Sequence, residues 1–417
     1  MKPHASPRSG NTSIRGWESR LRPMSDRSGP SRAGAFEGCG TIMTCRVCFD
    51  ARIVRSWDTG VGRISVSLLR ELPSVTSDLD IVILLDERAP PPPTRFGEHV
   101  IVRTVRMGSP SLNQHLRLPG WLREERVDAV FHLHPYSVPV WSPVPRIVSI
   151  LDLYQLADPA AFPPGVGLYY RTVVGLVARR SAAVLTISEV SKAHIVRMLA
   201  VPPDRITVLP LAPDEAFRRI PPGPQRDGVL HRLGVEEPFV LYHGNQRPHK
   251  NLRRLVQAFA LARRRFGLAH WLVITGKEEP GSRERDFTAV RIAVRAEGID
   301  RFVMFPGYVT DGELAALYSA AGALFLPSLM EGFGLPVVEG FACGTPVVCG
   351  NRGALPEVAG DAAALVDPLD VEGMASVLGE VLTNQGAAKD SDLLISAAAE
   401  QLPSPMTGGI QLFSRCG

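Results

Sequence analysis

The run from Pro327 to Glu339, PSLMEGFGLPVVE, sets two carboxylates, Glu331 and Glu339, on either side of a glycine-rich turn. The apolar stretch ALFL leads into it, and a helical pattern opens near Leu335-Pro336, where proline is tolerated in the first turn. The N–H groups of Phe333, Gly334 and Leu335 at such a helix start lack intrahelical partners and form a ready anion site. A carboxylate beside them can accept hydrogen bonds from sugar-like hydroxyls or hold developing positive charge. The same residues also suit an ordinary strand–helix turn with surface glutamates near the dipole. A second run, Gly244-Asn245-Gln246-Arg247-Pro248-His249-Lys250-Asn251, follows the strand-like FVLYH. There Arg247 and Lys250 are spaced to neutralise a diphosphate, or else stand as solvated loop charges. A third, Thr59-Gly60-Val61-Gly62-Arg63, opens a helical pattern, and Gly60 and Gly62 would let the backbone approach a phosphate or sugar. It lacks the third glycine of the dinucleotide fingerprint.

Other candidates are weaker. Asp78-Leu79-Asp80 reads as loop capping. Cys45-x-x-Cys48 has no second pair or nearby histidine cluster, so no metal and no cofactor is expected. His132 and His134 end a strand expected to face a cleft, as acceptor contacts or as satisfied loop histidines.

These runs need elements to position them. Strand-length apolar segments alternate with helical patterns: Val47-Cys48-Phe49, Asp80–Leu85, 100–105, 128–132, 146–150, 183–187 and 206–209. Ile64, Leu68, Leu69 and Leu72 share one helical face between the first two. Such alternation implies parallel sheets covered on both faces. The segment RRIPPGPQRDGVL breaks the pattern, and alternation restarts at Phe239. Leu252, Leu255, Val256, Phe259 and Ala260 then recur at helical spacing, with strands expected at 271–275, 302–305, 323–326, 346–348 and 363–366. The organisation expected is a disordered tail over 1–42, a first α/β domain over 43–217, a linker over 218–235, a second α/β domain over 236–384 and a weakly ordered tail over 385–417. Two successive α/β domains make a cleft, and ligands bind such sheets at the carboxyl ends of strands.

At 417 residues, 45% hydrophobic and 21% charged, the chain has an ordinary globular balance. No apolar run reaches the ~18 residues that suggest a spanning helix. The first forty residues lack the apolar core of a signal peptide, with Met43 an alternative start. Six cysteines in this length point to a reducing compartment. The net charge of +4 resides in residues 1–42, and the rest of the chain is balanced. The basic pI therefore gives no argument for nucleic acid.

The three runs in this order resemble the retaining glycosyltransferases of group 1, family 4. EGFGLPVVE matches the family's E-x7-E element, and GNQRPHKN resembles its loop at the start of the second domain. FPGYVTDGELAALYSAA, GALPEVAGDAAALVDP, TGVGR and LYYRTVVGLVARRSAAVLTISEVSKAHIV match its style, over residues 43–384. The resemblance implies an α/β fold of two Rossmann-like domains facing across a cleft, the GT-B fold. It implies transfer of a hexose from a nucleotide-diphosphate sugar to a glycan or lipid-linked hydroxyl, with retention and without metal. By analogy Lys250 and Arg247 contact the diphosphate, and Glu331 lies near the donor sugar. Phe333, Gly334 and Leu335 meet its hydroxyls or the phosphate, Glu339 accepts from the ribose, and Tyr308 and Val309 flank the base. Asp152 remains as candidate base. GNxxPHKN and LPEVAGDAA resemble mannosyltransferase-like members, which favours GDP-mannose among GDP- and UDP-sugars. A cytoplasmic chain is implied, with peripheral contact at the inner membrane face left open by Arg70, Arg117, Arg179, Arg180 and Arg197. Two departures leave a second expectation, a nucleotide-sugar binder impaired in catalysis: Leu151-Asp152 stands where many relatives carry His-Asp, and 385–417 do not resemble the family's closing helix.

Overall fold

The computed structural model describes residues 45–384, apart from 58–59, 76–78, 93–95, 97–98, 110 and 279–286. The tails expected at 1–42 and 385–417, Thr59 and Asp78 lie outside the described residues.

Two parallel sheets carry the fold. The first contains β1 (Cys45–Asp50), β2 (Leu79–Asp86), β3 (Val100–Val105), β4 (Ala129–His132), β5 (Arg146–Ser149), β6 (Ala183–Thr186) and β7 (Ile206–Val208). Its order is β3-β2-β1-β4-β5-β6-β7. The second contains β8 (Phe239–His243), β9 (Trp271–Thr275), β10 (Val303–Gly307), β11 (Ala323–Leu326), β12 (Val347–Gly350) and β13 (Ala363–Val366), in the order β10-β9-β8-β11-β12-β13. Both sheets are wound in two directions, and the direction reverses between β1 and β4 and between β8 and β11. Ligand crevices in open parallel sheets form at such reversals, beyond the carboxyl ends of the strands. The runs after β1, β8 and β11 leave from those ends.

The central strands of each sheet are largely apolar, as expected where helices cover both faces. Val240, Leu241, Leu324, Phe325 and Val348 are fully buried. The helix Leu252–Phe266 buries Leu252, Leu255, Val256, Phe259 and Ala260, the stripe its spacing requires. It begins after a short 3-10 turn, Pro248–Lys250, so its start lies two residues beyond Lys250.

Residues 218–235 depart from expectation. They contain a helix, Pro224–Leu233, with proline in its first turn and left-handed Gly234 ending it. Leu230 and Val235 join the core of the second sheet. The proline and glycine that read as linker are the helix's start and stop signals.

Candidate functional site

Between the sheets lies a cavity of about 540 Å³, lined from both lobes. Each of the three runs contributes. From the β8 loop come Gly244, Arg247 and Lys250, from the β11 loop Glu331 to Leu335 and Glu339, and from the first helix Val61 and Arg63. Tyr308 and Val309, at the end of β10, line it as well, Tyr308 half exposed and Val309 buried. Asp152 enters from the loop after β5.

The two second-lobe loops are locked together by hydrogen bonds. Asn251, in the left-handed region, donates from Nδ2 to the carbonyls of Pro327 (3.0 Å) and Pro368 (2.6 Å). The N–H of Leu329 donates to the carbonyl of His249 at 2.7 Å. Lys250 Nζ thereby reaches Glu331 Oε1 at 2.7 Å. Burial pushes the Glu331 carboxyl up, but Lys250 overrides it and holds the group below its ordinary range. The pair is nearly sealed, with side-chain exposures of 13% and 10%.

Gly334 precedes the helix Leu335–Ala342 with φ of 101°. That left-handed backbone calls for glycine, and a Cβ there would also have to displace Leu355 Cδ2 from 2.6 Å. The turn it permits aims the helix start into the cavity. Phe333 packs instead against Ile187 and Val338, joining the two lobes through apolar contact.

Glu339 is buried to 1% exposure. It accepts from Tyr318 Oη at 3.1 Å and from Arg63 of the other lobe at 2.9 Å. Arg63 also binds Asp311, so one guanidinium serves two carboxylates. Burial pushes Glu339 up to about 7, against the pull of Arg63 and Tyr318.

Asp152 faces Gly332 across the lobes, where a Cβ on the glycine would lie 3.1 Å from Asp152 Cβ. Burial raises its pKa, and neighbouring Glu331 adds to the rise. Its Oδ1 accepts from the N–H of Tyr154 at 3.0 Å. Tyr154 in turn meets His249 edge to face, with centroids 4.6 Å apart.

Gly62 does not line the cavity, although Val61 and Arg63 do. A Cβ on Gly62 would meet the carbonyls of Trp57 (2.5 Å) and Ser56 (2.6 Å), so its bareness accommodates the chain's own loop. Of its two expected roles, His132 takes that of a satisfied histidine and not that of a cavity contact. It is fully buried, and its Nδ1 lies 2.7 Å from Asp50, which Arg52 grips in turn. It serves the lobe's interior, while His134 lines the cavity. Burial, with Arg247 nearby, holds His134 down at about 4.

Sequence reasoning missed several members. Arg63 belonged to a quoted run, yet nothing local marked it as the partner of Glu339, 276 positions away. His243, last residue of β8, lines the cavity with its Nδ1 3.0 Å from Thr275 Oγ1. Burial, then Arg63 and Lys250, lower it to about 3, so it stands neutral among cations. A histidine closing an apolar strand at a sheet reversal was the available signal.

A pair of doubly wound parallel sheets with a polar cavity between them defines the GT-B architecture. Solved structures agree on the fold: sucrose-phosphate synthase from Thermosynechococcus elongatus superposes with a TM-score of 0.73 at 18% identity, over 89% of this chain and 98% of that one. Anabaena HepE in complex with UDP and glucose gives 0.68 at 17% identity, over 89% and 98%. The family model "Glycosyl transferases group 1" matches residues 231–401, and "Glycosyltransferase Family 4" matches 59–217. The O-antigen chain mannosyltransferase B of Escherichia coli is 30% identical over 63% of this chain and 67% of its own length. An MMP alpha-(1->4)-mannosyltransferase of Mycolicibacterium hassiacum is 34% identical over 49% of this chain and 46% of its own length. The chain belongs to the group-1, family 4 glycosyltransferases. No helix among the described residues is long and apolar enough to cross a membrane.

Proposed function

We propose that this glycosyltransferase moves a hexose, mannose being favoured, from a nucleotide-diphosphate sugar to a hydroxyl of a glycan or lipid-linked acceptor, retaining the anomeric configuration and using no metal. The observation that carries the reading is the convergence of Arg247, Lys250, Glu331 and the helix start at Leu335 on one interlobe cavity. The mannosyltransferase names of its relatives favour the sugar, and neighbours solved with UDP or UDP-glucose favour a nucleotide donor.

In this reading, breaking the anomeric bond leaves negative charge on the diphosphate and positive charge on the ring. Arg247, Lys250 and the Phe333–Leu335 backbone stabilise the leaving group without reorganising. A preorganised donor of this kind is typically worth ~3 kcal/mol. Glu331 orients the sugar and faces its developing positive charge. Glu339 accepts from the ribose, and Tyr308 and Val309 flank the base. The acceptor proton passes to the leaving phosphate or to Asp152, whose raised pKa suits a proton carrier.

Thermal shift with GDP-, UDP- and dTDP-sugars, followed by a transfer assay with and without EDTA, tests the reading. A true donor raises the melting temperature by mass action. Product anomericity reports retention. Donor-dependent stabilisation without transfer favours the impaired binder, which Leu151 motivates: its side chain packs with the apolar contact of Ile187 and Phe333 and offers the cavity no imidazole. A folded protein stabilised by no donor sinks both.

A further inference from the structure

A second cavity, of about 490 Å³, lies at the other end of the first sheet. Arg146, Arg180 and Arg205 line it, together with Trp141. Arg146 opens β5, Arg180 ends the helix before β6, and Arg205 immediately precedes β7. The donor cavity is reached from the carboxyl ends of these same strands, through Leu151, Ile187 and Leu211. The two cavities therefore sit at opposite ends of strands three to four residues long, at about 3.3 Å per residue.

The charge is one-sided. No carboxylate lines this cavity among the described residues. Arg146 and Arg205 are held by backbone: Arg146 Nη1 donates to the carbonyls of Pro139 (2.7 Å) and Val140 (3.3 Å), and Arg205 Nη1 to that of Arg179 (3.0 Å). Arg146 is 5% exposed, so its charge is held in the protein rather than in water. Burial, and then the like charge of Arg180, make its charged form costlier than usual. Arg180 thus adds to the cost of charge on buried Arg146, and an anion in a cavity lined by three guanidiniums and no acid relieves that cost. The planar fork of each matches the oxygens of a phosphate. At the rim the half-exposed Trp141 lies under Arg123, whose guanidinium carbon is 4.8 Å from the ring centroid. This gives an amphipathic edge beside the charge.

We propose that the Arg146–Arg180–Arg205 cavity binds a phosphate group, carried on a soluble phosphorylated molecule or on a lipid headgroup. The site is separate from the donor cavity and does not depend on how that cavity is read.

The test uses the full chain and an R180A/R205A variant. Both arginines are exposed, and an unchanged melting temperature verifies the fold. Pyrophosphate is titrated by calorimetry, and cosedimentation is measured with vesicles of phosphatidylglycerol and of phosphatidylcholine alone. Pyrophosphate also has the donor cavity open to it, so the expected wild-type isotherm has two classes of site. The variant should lose one of them, with at least tenfold weaker binding there. That result identifies a soluble phosphate ligand. Loss of phosphatidylglycerol binding in the variant identifies a headgroup. A pyrophosphate isotherm and a vesicle profile both unchanged by the two substitutions overturn the proposal.

Discussion

Arg63, on the first helix of one lobe, donates to Glu339 of the other lobe at 2.9 Å, in the position where the reading above puts a ribose. On that reading, the carboxylate that joins the lobes is the one the donor would use. Folding lifts Glu339 from an ordinary 4.5 to about 7. The native state therefore keeps a proton there that the unfolded chain has already lost. That contribution to stability is complete below about 4.5 and gone once the pH has risen past 7. Across the window it amounts to roughly 3 kcal/mol. Donor binding runs the other way, because an ionised carboxylate accepts from two hydroxyls. Between pH 5.5 and 8.5, melting temperature should fall while donor affinity rises. R63A removes the main influence holding Glu339 down, so the rise in affinity should move to higher pH. At pH 7 donor KM should increase about tenfold, ~1.4 kcal/mol. An affinity–pH curve identical in the two proteins would refute the linkage.

Lys250 and Glu331 form a nearly sealed pair, and such pairs are costly to break from one side. K250A leaves the Glu331 carboxylate unpaired and should cost about 3–5 kcal/mol of stability. It should also lower kcat by ~10²-fold, as for loss of one preorganised donor. K250A/E331Q should regain most of the stability and none of the activity. Urea melts and single-turnover rates on the four proteins close the cycle. If the double variant recovers turnover, Lys250 serves only to neutralise Glu331.

Much of this was legible in the chain. The strands after which the runs turn are apolar and short, and β8 and β11 announce the glycine-rich loops that follow them. Glu331, Lys250 and Gly334 could be singled out because each sits in a short loop whose local spacing after an apolar strand is visible in the chain. The partnership of Arg63 with Glu339 could not, since it exists only when two lobes close on one another. Gly62 misled because a bare position looks the same whether a ligand or the chain's own carbonyl needs the room. His132 stayed open between two roles because strand alternation does not say which carboxylate waits beneath the end of a strand.

Beneath that end lies a buried triad. Asp50, Arg52 and His132 have no side-chain exposure, and Arg52 grips both carboxylate oxygens of Asp50 at 2.7 and 2.8 Å. Burial pushes the Asp50 carboxyl up, but Arg52 and His132 reverse this and hold it far below the carboxylate range. Its contribution is present above its unfolded pKa near 3.8 and is lost as pH falls below that. D50N should leave Arg52 buried without a counter-charge and cost about 3–5 kcal/mol. H132F should be milder, since His132 Nε2 is buried with no partner among the described residues. Denaturant melts at pH 7 give the ranking. A D50N chain as stable as the parent would show that backbone carbonyls alone satisfy Arg52.

The lobes are also clamped in trans. Glu357 of the second lobe accepts from the N–H groups of Glu189 (2.8 Å) and Val190 (3.1 Å), the opening residues of the first-lobe helix Glu189–Leu199. Ser188 caps that helix internally through the N–H of Ser191, and its hydroxyl donates to the carbonyl of Gly332 across the cleft. A carboxylate at a helix start gains from unpaired N–H groups and from the dipole together. Losing a cap of this kind costs about 1 kcal/mol. If Glu357 acts between lobes and not within one, E357A should spend that loss on closure rather than on folding. Its radius of gyration by solution scattering should grow, and donor KM should rise about fivefold, the same ~1 kcal/mol. Unfolding of the second lobe should keep its parental midpoint. A compact E357A protein with unchanged KM would mean that the Arg63 contact and the Phe333 packing close the cleft by themselves.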